Sequence, residues 1–357
     1  MYLSGVETLR LTIQSGDNLT SETRAIAECA AILRQGGLVA IPTETVYGLA
    51  ANALDPAALA RIFDAKGRPT WDPLIVHVSN FEMVSRVAVE FPETGQKLAQ
   101  RFWPGPLTLL FQKSANVPLS VTAGRDTIAV RMPAHPIAQA LIAAADLPLA
   151  APSANRFGRI SPTTAEHVLA ELDGRIDAVL DAGPTEIGVE STVLDPLRKP
   201  PLLLRPGGVT REQIEAVVGP VELHSPPAQA ASPHALASPG LAARHYAPTA
   251  HLVLIDGERA ALLNAVRHYV GSEGEYGQYV GIMAPDGWID ETTLAAGGIV
   301  LFAWGSWGDW QQLGRNLFAG LRYLDKPGVS VILCPLPSAE GMGLAVRDRL
   351  NRAARTS

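Results

Sequence analysis

Apolar positions recur every three to four residues across residues 21–35 (SETRAIAECAAILRQ). That spacing predicts an amphipathic helix, with Ser21 as its N-cap and Gly36-Gly37 as its stop. Similar periodicity predicts helices over 56–63, 91–102, 136–145 and 164–172. Short apolar runs bounded by Pro, Gly or polar residues predict strands over 38–41, 74–78, 107–111, 127–131, 147–150, 178–181, 191–195 and 202–205. Several connections between these strands are too short for parallel crossovers, so the sheet is expected to be mixed. Further along, strands are predicted over 252–255, 279–284, 298–304 and 329–333. They alternate with helices over 259–270 and 310–324 and with a basic amphipathic helix over 344–355. This regular alternation predicts an open, Rossmann-like sheet flanked by helices.

Between the two regions, residues 220–248 are rich in Pro, Ala and Ser and show no apolar periodicity. Such a stretch reads as an extended linker. The expected organisation is therefore a first α/β domain over 1–219, a linker over 220–249 and a smaller second domain over 250–357. The 357 residues are 47% hydrophobic and 18% charged, which suits two packed cores rather than disorder. No charge-free apolar run reaches the roughly 18 residues of a membrane span, so no membrane association is expected. The N-terminal residues lack the basic and apolar regions of a signal peptide, which points to the cytoplasm. Cys29 and Cys334 fit no metal or disulfide spacing and read as core residues. A net charge of -6 argues against a basic nucleic-acid coat, although not against a local basic cleft.

Candidate chemistry collects at the ends of predicted elements. Pro42-Thr43-Glu44-Thr45-Val46-Tyr47-Gly48 follows a strand, where hydroxyls can meet a substrate; an ordinary capped turn with Thr45 as N-cap is the alternative. Lys66-Gly67-Arg68-Pro69 places two cations around a glycine in an apparent loop, suited to phosphate or else simply solvated. His77 lies on an apolar strand, where a lone histidine is more often a satisfied core residue than a site residue. Arg131 and Arg205 close apolar strands, while Ser153, Asn155, Ser161 and Ser191 follow or open others. Cations among hydroxyls at element ends suit a polyphosphate and a carboxylate. No P-loop, GxGxxG after the first strand or HExxH is present, and Gly341-Met342-Gly343 reads as close helix packing.

PTETVYGLAANAL, KGRP, DPLIVHV, WPGPLTLL, APSANRFGRISPT, GVESTV and LLRPGG follow one another in the order seen in the YrdC-like family, which this chain resembles. The segment 238–248 with its HYAP, and the ending GMGLAVRDRLNRAA, resemble the longer, two-domain form of that family. The resemblance implies a YrdC-like twisted mixed sheet flanked by helices, plus a smaller C-terminal Rossmann-like domain. It implies synthesis of L-threonylcarbamoyladenylate from L-threonine, bicarbonate and ATP, with Mg²⁺ accompanying ATP and pyrophosphate released. The product would pass to tRNA threonylcarbamoyl-transfer proteins that modify tRNA next to the anticodon.

Carried over position by position, the resemblance implies that Lys66, Arg68, Ser153 and Asn155 are the catalytic group around the phosphates. Thr45, His77, Arg131, Ser191 and the backbone at Ala151 would surround threonine. Asp72, Thr127, Ser161 and Arg205 would join Arg68 and Ser153 in contacting ATP, and Tyr246 would close over it from a lid-like linker. The family is also associated with double-stranded RNA, so an RNA-binding module is the alternative expectation. A related carbamoyl-transfer role in hydrogenase maturation requires zinc-binding cysteine clusters, which two isolated cysteines cannot form.

Overall fold

The computed structural model describes residues 7–13, 19–224, 245–273, 279–295 and 297–355. These pack into two units, one within Met1–Phe157 and Ser161–Ala242, the other within Gly158–Ile160 and Ala243–Ser357. Most of the expected linker therefore lies outside the described residues.

The first unit opens with β1 (Leu9–Thr12), α1 (Leu19–Arg34), β2 (Val39–Ile41), β3 (Gly48–Asn52), α2 (Pro56–Lys66) and β4 (Ile75–His77). It continues with α3 (Phe81–Ser85), α4 (Glu93–Phe102), β5 (Leu107–Gln112), α5 (Leu119–Thr122), β6 (Thr127–Arg131) and α6 (Pro136–Ala145). It ends with β7 (Leu149–Ala150), α7 (Ala165–Leu172), β8 (Ala178–Asp181), β9 (Thr192–Asp195), β10 (Leu202–Arg205), α8 (Arg211–Val218) and β11 (Glu222–Leu223). The strands form one mixed sheet in the order β1-β8-β2-β3-β7-β4-β6-β5-β9-β10-β11. β4 runs parallel to β6, β6 antiparallel to β5, and β5 parallel to β9. Their mutual register puts His77 beside Arg131 and Arg131 beside Thr108. Leu33, Leu49, Leu59, Val76, Leu109, Val130 and Leu141 belong to the core that covers the sheet.

Three local expectations change. The first helix begins at Leu19, so Ser21 lies inside its first turn and does not cap it. α2 runs on to Lys66, because Gly67 adopts a left-handed conformation (φ 62°) that ends the helix there, so Lys66 is a helix residue and not part of a loop. Thr45 caps no helix. The Thr43 hydroxyl instead accepts the backbone N–H of Thr45 (3.1 Å), turning the chain from β2 into antiparallel β3.

The second unit contains β12 (His251–Ile255), α9 (Arg259–Glu273), β13 (Tyr279–Pro285), α10 (Glu291–Ala295), β14 (Ile299–Gly305), α11 (Trp310–Leu324), β15 (Val329–Pro335) and α12 (Gly341–Ala353). Its four strands are all parallel, in the order β12-β15-β13-β14. The first of them, β12, occupies an edge of this Rossmann-like sheet. The basic end of the chain is not simply a solvated face: Arg349 is fully buried, and Asp348 pairs with both Arg349 (2.8 Å) and Arg352 (3.0 Å). Cys29 and Cys334 are both buried, and burial pushes the Cys29 thiol up to about 12. Among the described residues no helix is long and apolar enough to cross a membrane.

Candidate active site

The segment between β2 and β3 forms one wall. Arg131, the last residue of β6, donates from Nη1 to Thr45 Oγ1 (2.9 Å) and from Nε to the Gly105 carbonyl (3.2 Å). Its Nη2 lies 2.6 Å from Glu44 Oε1, with both side chains buried. The carbonyls of Glu44 and Thr45 accept the N–H groups of Ile187 (2.8 Å) and Gly188 (3.1 Å), which brings the start of the GVEST segment alongside. There the Ser191 hydroxyl bonds Thr108 Oγ1 (2.8 Å), and Arg205 donates to the Ser191 carbonyl (2.9 and 3.1 Å) and to its hydroxyl (3.2 Å). Ser161 donates to Glu190 (2.5 Å), one residue before Ser191.

A second wall comes from the end of α2. Asp55 caps the start of that helix and Gly67 ends it, so Lys66 is held in place at its last turn. The Lys66 amine donates to the carbonyl oxygens of Ser153 (2.5 Å) and Asn155. Burial, reinforced by the charge of Arg68, brings its pKa down to about 7. Arg68 pairs with Asp72 (3.0 Å) and donates to the Asp72 and Pro73 carbonyls. Burial pushes the Asp72 pKa up, against the pull of Arg68, Lys66 and Arg205, so Asp72 links three of the four cations electrostatically. Gly48 and Ser153 form a bridge, and the added Cβ that a larger residue would carry at Gly48 would lie 3.3 Å from Ala151. Ala151 in turn donates its N–H to the Ile75 carbonyl on β4.

The expected residues thus meet through a continuous set of contacts, with two exceptions. Thr127 starts β6 opposite Gln112, four residues before Arg131, and is half-buried there. Tyr246 belongs to the second unit, where its ring stacks on Phe318 (5.5 Å between centroids) and faces the Arg349 guanidinium.

His77 is buried beside Arg131, and desolvation, with the Arg131 charge, lowers its pKa from 6.5 to about 3. The imidazole is therefore neutral at physiological pH. Below pH 6.5 the unfolded chain takes up a proton that the folded His77 refuses, so this residue costs stability as pH falls from 6.5 towards 3. The ring C–H resonances of His77 should stay constant between about pH 5 and 8. Titration with a midpoint near 6.5 in the folded protein would contradict the burial.

Two family models match the chain. One, described as Telomere recombination, covers residues 31–207; the other, described as Threonylcarbamoyl-AMP synthase, C-terminal domain, covers residues 209–355. The threonylcarbamoyl-AMP synthase of Pyrococcus abyssi (strain GE5 / Orsay) is 45% identical over 325 residues, 91% of this chain and 92% of that relative. The chain belongs to the threonylcarbamoyl-AMP synthase family. A second threonylcarbamoyl-AMP synthase, from Bacillus subtilis (strain 168), is 41% identical over 350 residues and 98% of each chain. The crystal structure of P. abyssi Sua5 complexed with L-threonine is similar at a TM-score of 0.88 and 43% identity, over 97% of this chain and 98% of that one.

Beside the expected site residues of this threonylcarbamoyl-AMP synthase family member lie four buried polar side chains to which the motifs gave no individual role. Glu44 is a buried carboxylate paired with Arg131, Glu190 one that accepts from Ser161, and Thr43 and Thr108 are buried hydroxyls bonded to Thr45 and Ser191. The available signal was a polar residue inside a run that is otherwise buried: Thr108 within LTLLF, and Glu44 between two threonines.

Proposed function

We propose that the chain joins L-threonine, bicarbonate and ATP into L-threonylcarbamoyladenylate with release of pyrophosphate, acting as a nucleotidyltransferase that supplies threonylcarbamoyladenosine modification of tRNA. The observation that carries this reading is the meeting of Lys66, Arg68, Arg131 and Arg205 with Thr45, Ser153 and Ser191 in one buried site, in a chain similar over nearly its whole length to threonylcarbamoyl-AMP synthases. The threonine complex of P. abyssi Sua5 supports an amino-acid pocket in the same fold.

In this reading the threonine amine, once deprotonated, adds to bicarbonate with loss of water to form a carbamate. A carbamate oxygen then attacks the α-phosphorus of ATP, and pyrophosphate leaves. The protein contributes position and charge. Arg131 holds the threonine carboxylate, and neutral His77 orients the substrate without carrying a charge. Lys66 and Arg68 neutralise phosphate oxygens; with a pKa near 7, Lys66 readily takes a proton as those oxygens approach. Mg²⁺ would accompany ATP as part of the substrate, held by its phosphates.

Pyrophosphate release, measured with threonine and bicarbonate omitted in turn, tests the proposal: both omissions should abolish release. Release that ignores threonine overturns it. A principal role in RNA binding is not favoured, because the site's cations are buried against carboxylates, hydroxyls and carbonyls and do not form an exposed basic face.

A further inference from the structure

The hydroxyls around Arg131 form a chain with a fixed direction. Thr43 Oγ1 donates to the Val46 carbonyl (2.6 Å), so its single proton is committed. The contact between Thr43 and Thr45 hydroxyls (2.8 Å) must then be donated by Thr45. Thr45 in turn accepts from Arg131 Nη1 (2.9 Å). The order is Arg131 to Thr45 to Thr43 to the Val46 carbonyl, and it originates at a guanidinium that Glu44 grips from the other Nη (2.6 Å).

Glu44 is buried, which by itself would favour its neutral acid; the charge of Arg131 beside it holds it below the ordinary carboxylate range. The pair is therefore ionised at neutral pH, and the buried Arg131 charge is balanced before any substrate arrives. A guanidinium has five N–H donors. Thr45 and Gly105 engage one each and Glu44 faces Nη2 as an ion pair, so N–H donors remain on both Nη atoms to receive a carboxylate.

We propose that Glu44 is the positioning residue of the threonine site: its ion pair with Arg131 fixes the guanidinium and, through it, the directed hydroxyl chain that ends the amino-acid pocket. It touches no reacting atom in this role. With the Thr45 proton committed to Thr43, Thr45 can present only a lone pair to the substrate, so this wall accepts a hydrogen from the amine or hydroxyl of threonine while Arg131 receives its carboxylate. Glu44 makes the first half of that arrangement dependent on the second.

This proposal rests on Arg131 as the holder of the threonine carboxylate, and the experiment separates the two. Steady-state pyrophosphate release is measured on the full chain for Glu44→Gln, Arg131→Gln and the double variant, varying threonine and ATP independently. Glu44→Gln should raise the KM for threonine about tenfold or more, the loss of one close buried ion pair, with the KM for ATP unchanged. Because Glu44 acts through Arg131, the double variant should bind threonine no more weakly than Arg131→Gln alone. Glu44→Asp, which keeps the charge, should recover part of the loss. Additive losses in the double variant, or equal rises in both KM values, overturn the role of Glu44. An unchanged threonine KM in Arg131→Gln overturns the carboxylate assignment itself. If Glu44→Gln does not fold, Thr43→Val breaks the same chain without removing a charge. It should raise the threonine KM alone, and an unchanged threonine KM there counts against the proposal.

Discussion

Lys66→Ala lowers threonine-dependent pyrophosphate release by about 10²-fold or more, the loss expected on removing one preorganised charge-stabilising donor, and Arg68→Ala does the same. Both cations are held before substrate binds. The Lys66 amine is fixed by the carbonyls of Ser153 and Asn155, and the Arg68 guanidinium by Asp72 and by the Asp72 and Pro73 carbonyls. No reorganisation is then required when charge develops on the transferring phosphorus. The pH dependence gives a second signature. Burial and Arg68 bring Lys66 from 10.5 down to about 7, so above pH 7 the empty site loses this charge. The KM for ATP should therefore rise from pH 7 to 9 in the wild type, and this rise should vanish in Lys66→Ala. Stability moves in the opposite sense. Between 7 and 10.5 the unfolded chain keeps a proton that folded Lys66 has shed, so this residue makes the fold more stable as pH rises through that window. Wild-type rates in both alanine variants would remove Lys66 and Arg68 from the phosphate site.

Gly207→Ala is expected to destabilise the first unit by about 3 kcal/mol, the upper end for forcing atoms into a packed interior. A Cβ at Gly207 would lie 2.4 Å from the Glu190 carbonyl oxygen, from the Ser191 carbonyl carbon and from the Thr192 nitrogen. All three are backbone atoms, so no side-chain rotation relieves the clash. The effect reaches the site directly, because the displaced peptide carries the Ser191 carbonyl that Arg205 grips and the segment that positions the Ser191 hydroxyl against Thr108. Denaturant unfolding followed by fluorescence measures the stability, and threonine-saturated turnover measures the site. A midpoint equal to that of the wild type would show that β9 and β10 can separate without cost, contrary to their close packing.

The local elements were legible where local chemistry settles them. Strand 127–131 and helix 136–145 have the predicted bounds, because the apolar run Ile128-Ala129-Val130 between Thr127 and Arg131 specifies the first, while Pro136 at the first turn, preceded by His135 accepting the Ile137 N–H, starts the second. β3 escaped notice because Gly-Leu-Ala-Ala-Asn has little intrinsic strand preference; pairing with β2 and β7 makes it a strand. α8 did carry a readable signal, the Thr210 to Gln213 capping box, which the sequence reading passed over. α2 runs three residues past its predicted end and stops only at the left-handed Gly67, which places Lys66 on a rigid element.

What the residues alone determined is the chemistry on offer, namely cations and small hydroxyls at the ends of apolar strands, together with the alternation that makes two α/β units. Their pairing was settled only by the tertiary structure. The sheet order is non-sequential, bringing β4, β6, β5 and β9 side by side, so His77, Arg131, Thr108 and Ser191 become neighbours though far apart in the chain. Burial then turns ordinary groups into shifted ones: Lys66 is brought near 7, His77 is held neutral, and Glu44 is kept ionised by the one guanidinium it touches. Local periodicity cannot encode such effects, because desolvation and ion pairing depend on which distant segments exclude water from a given side chain.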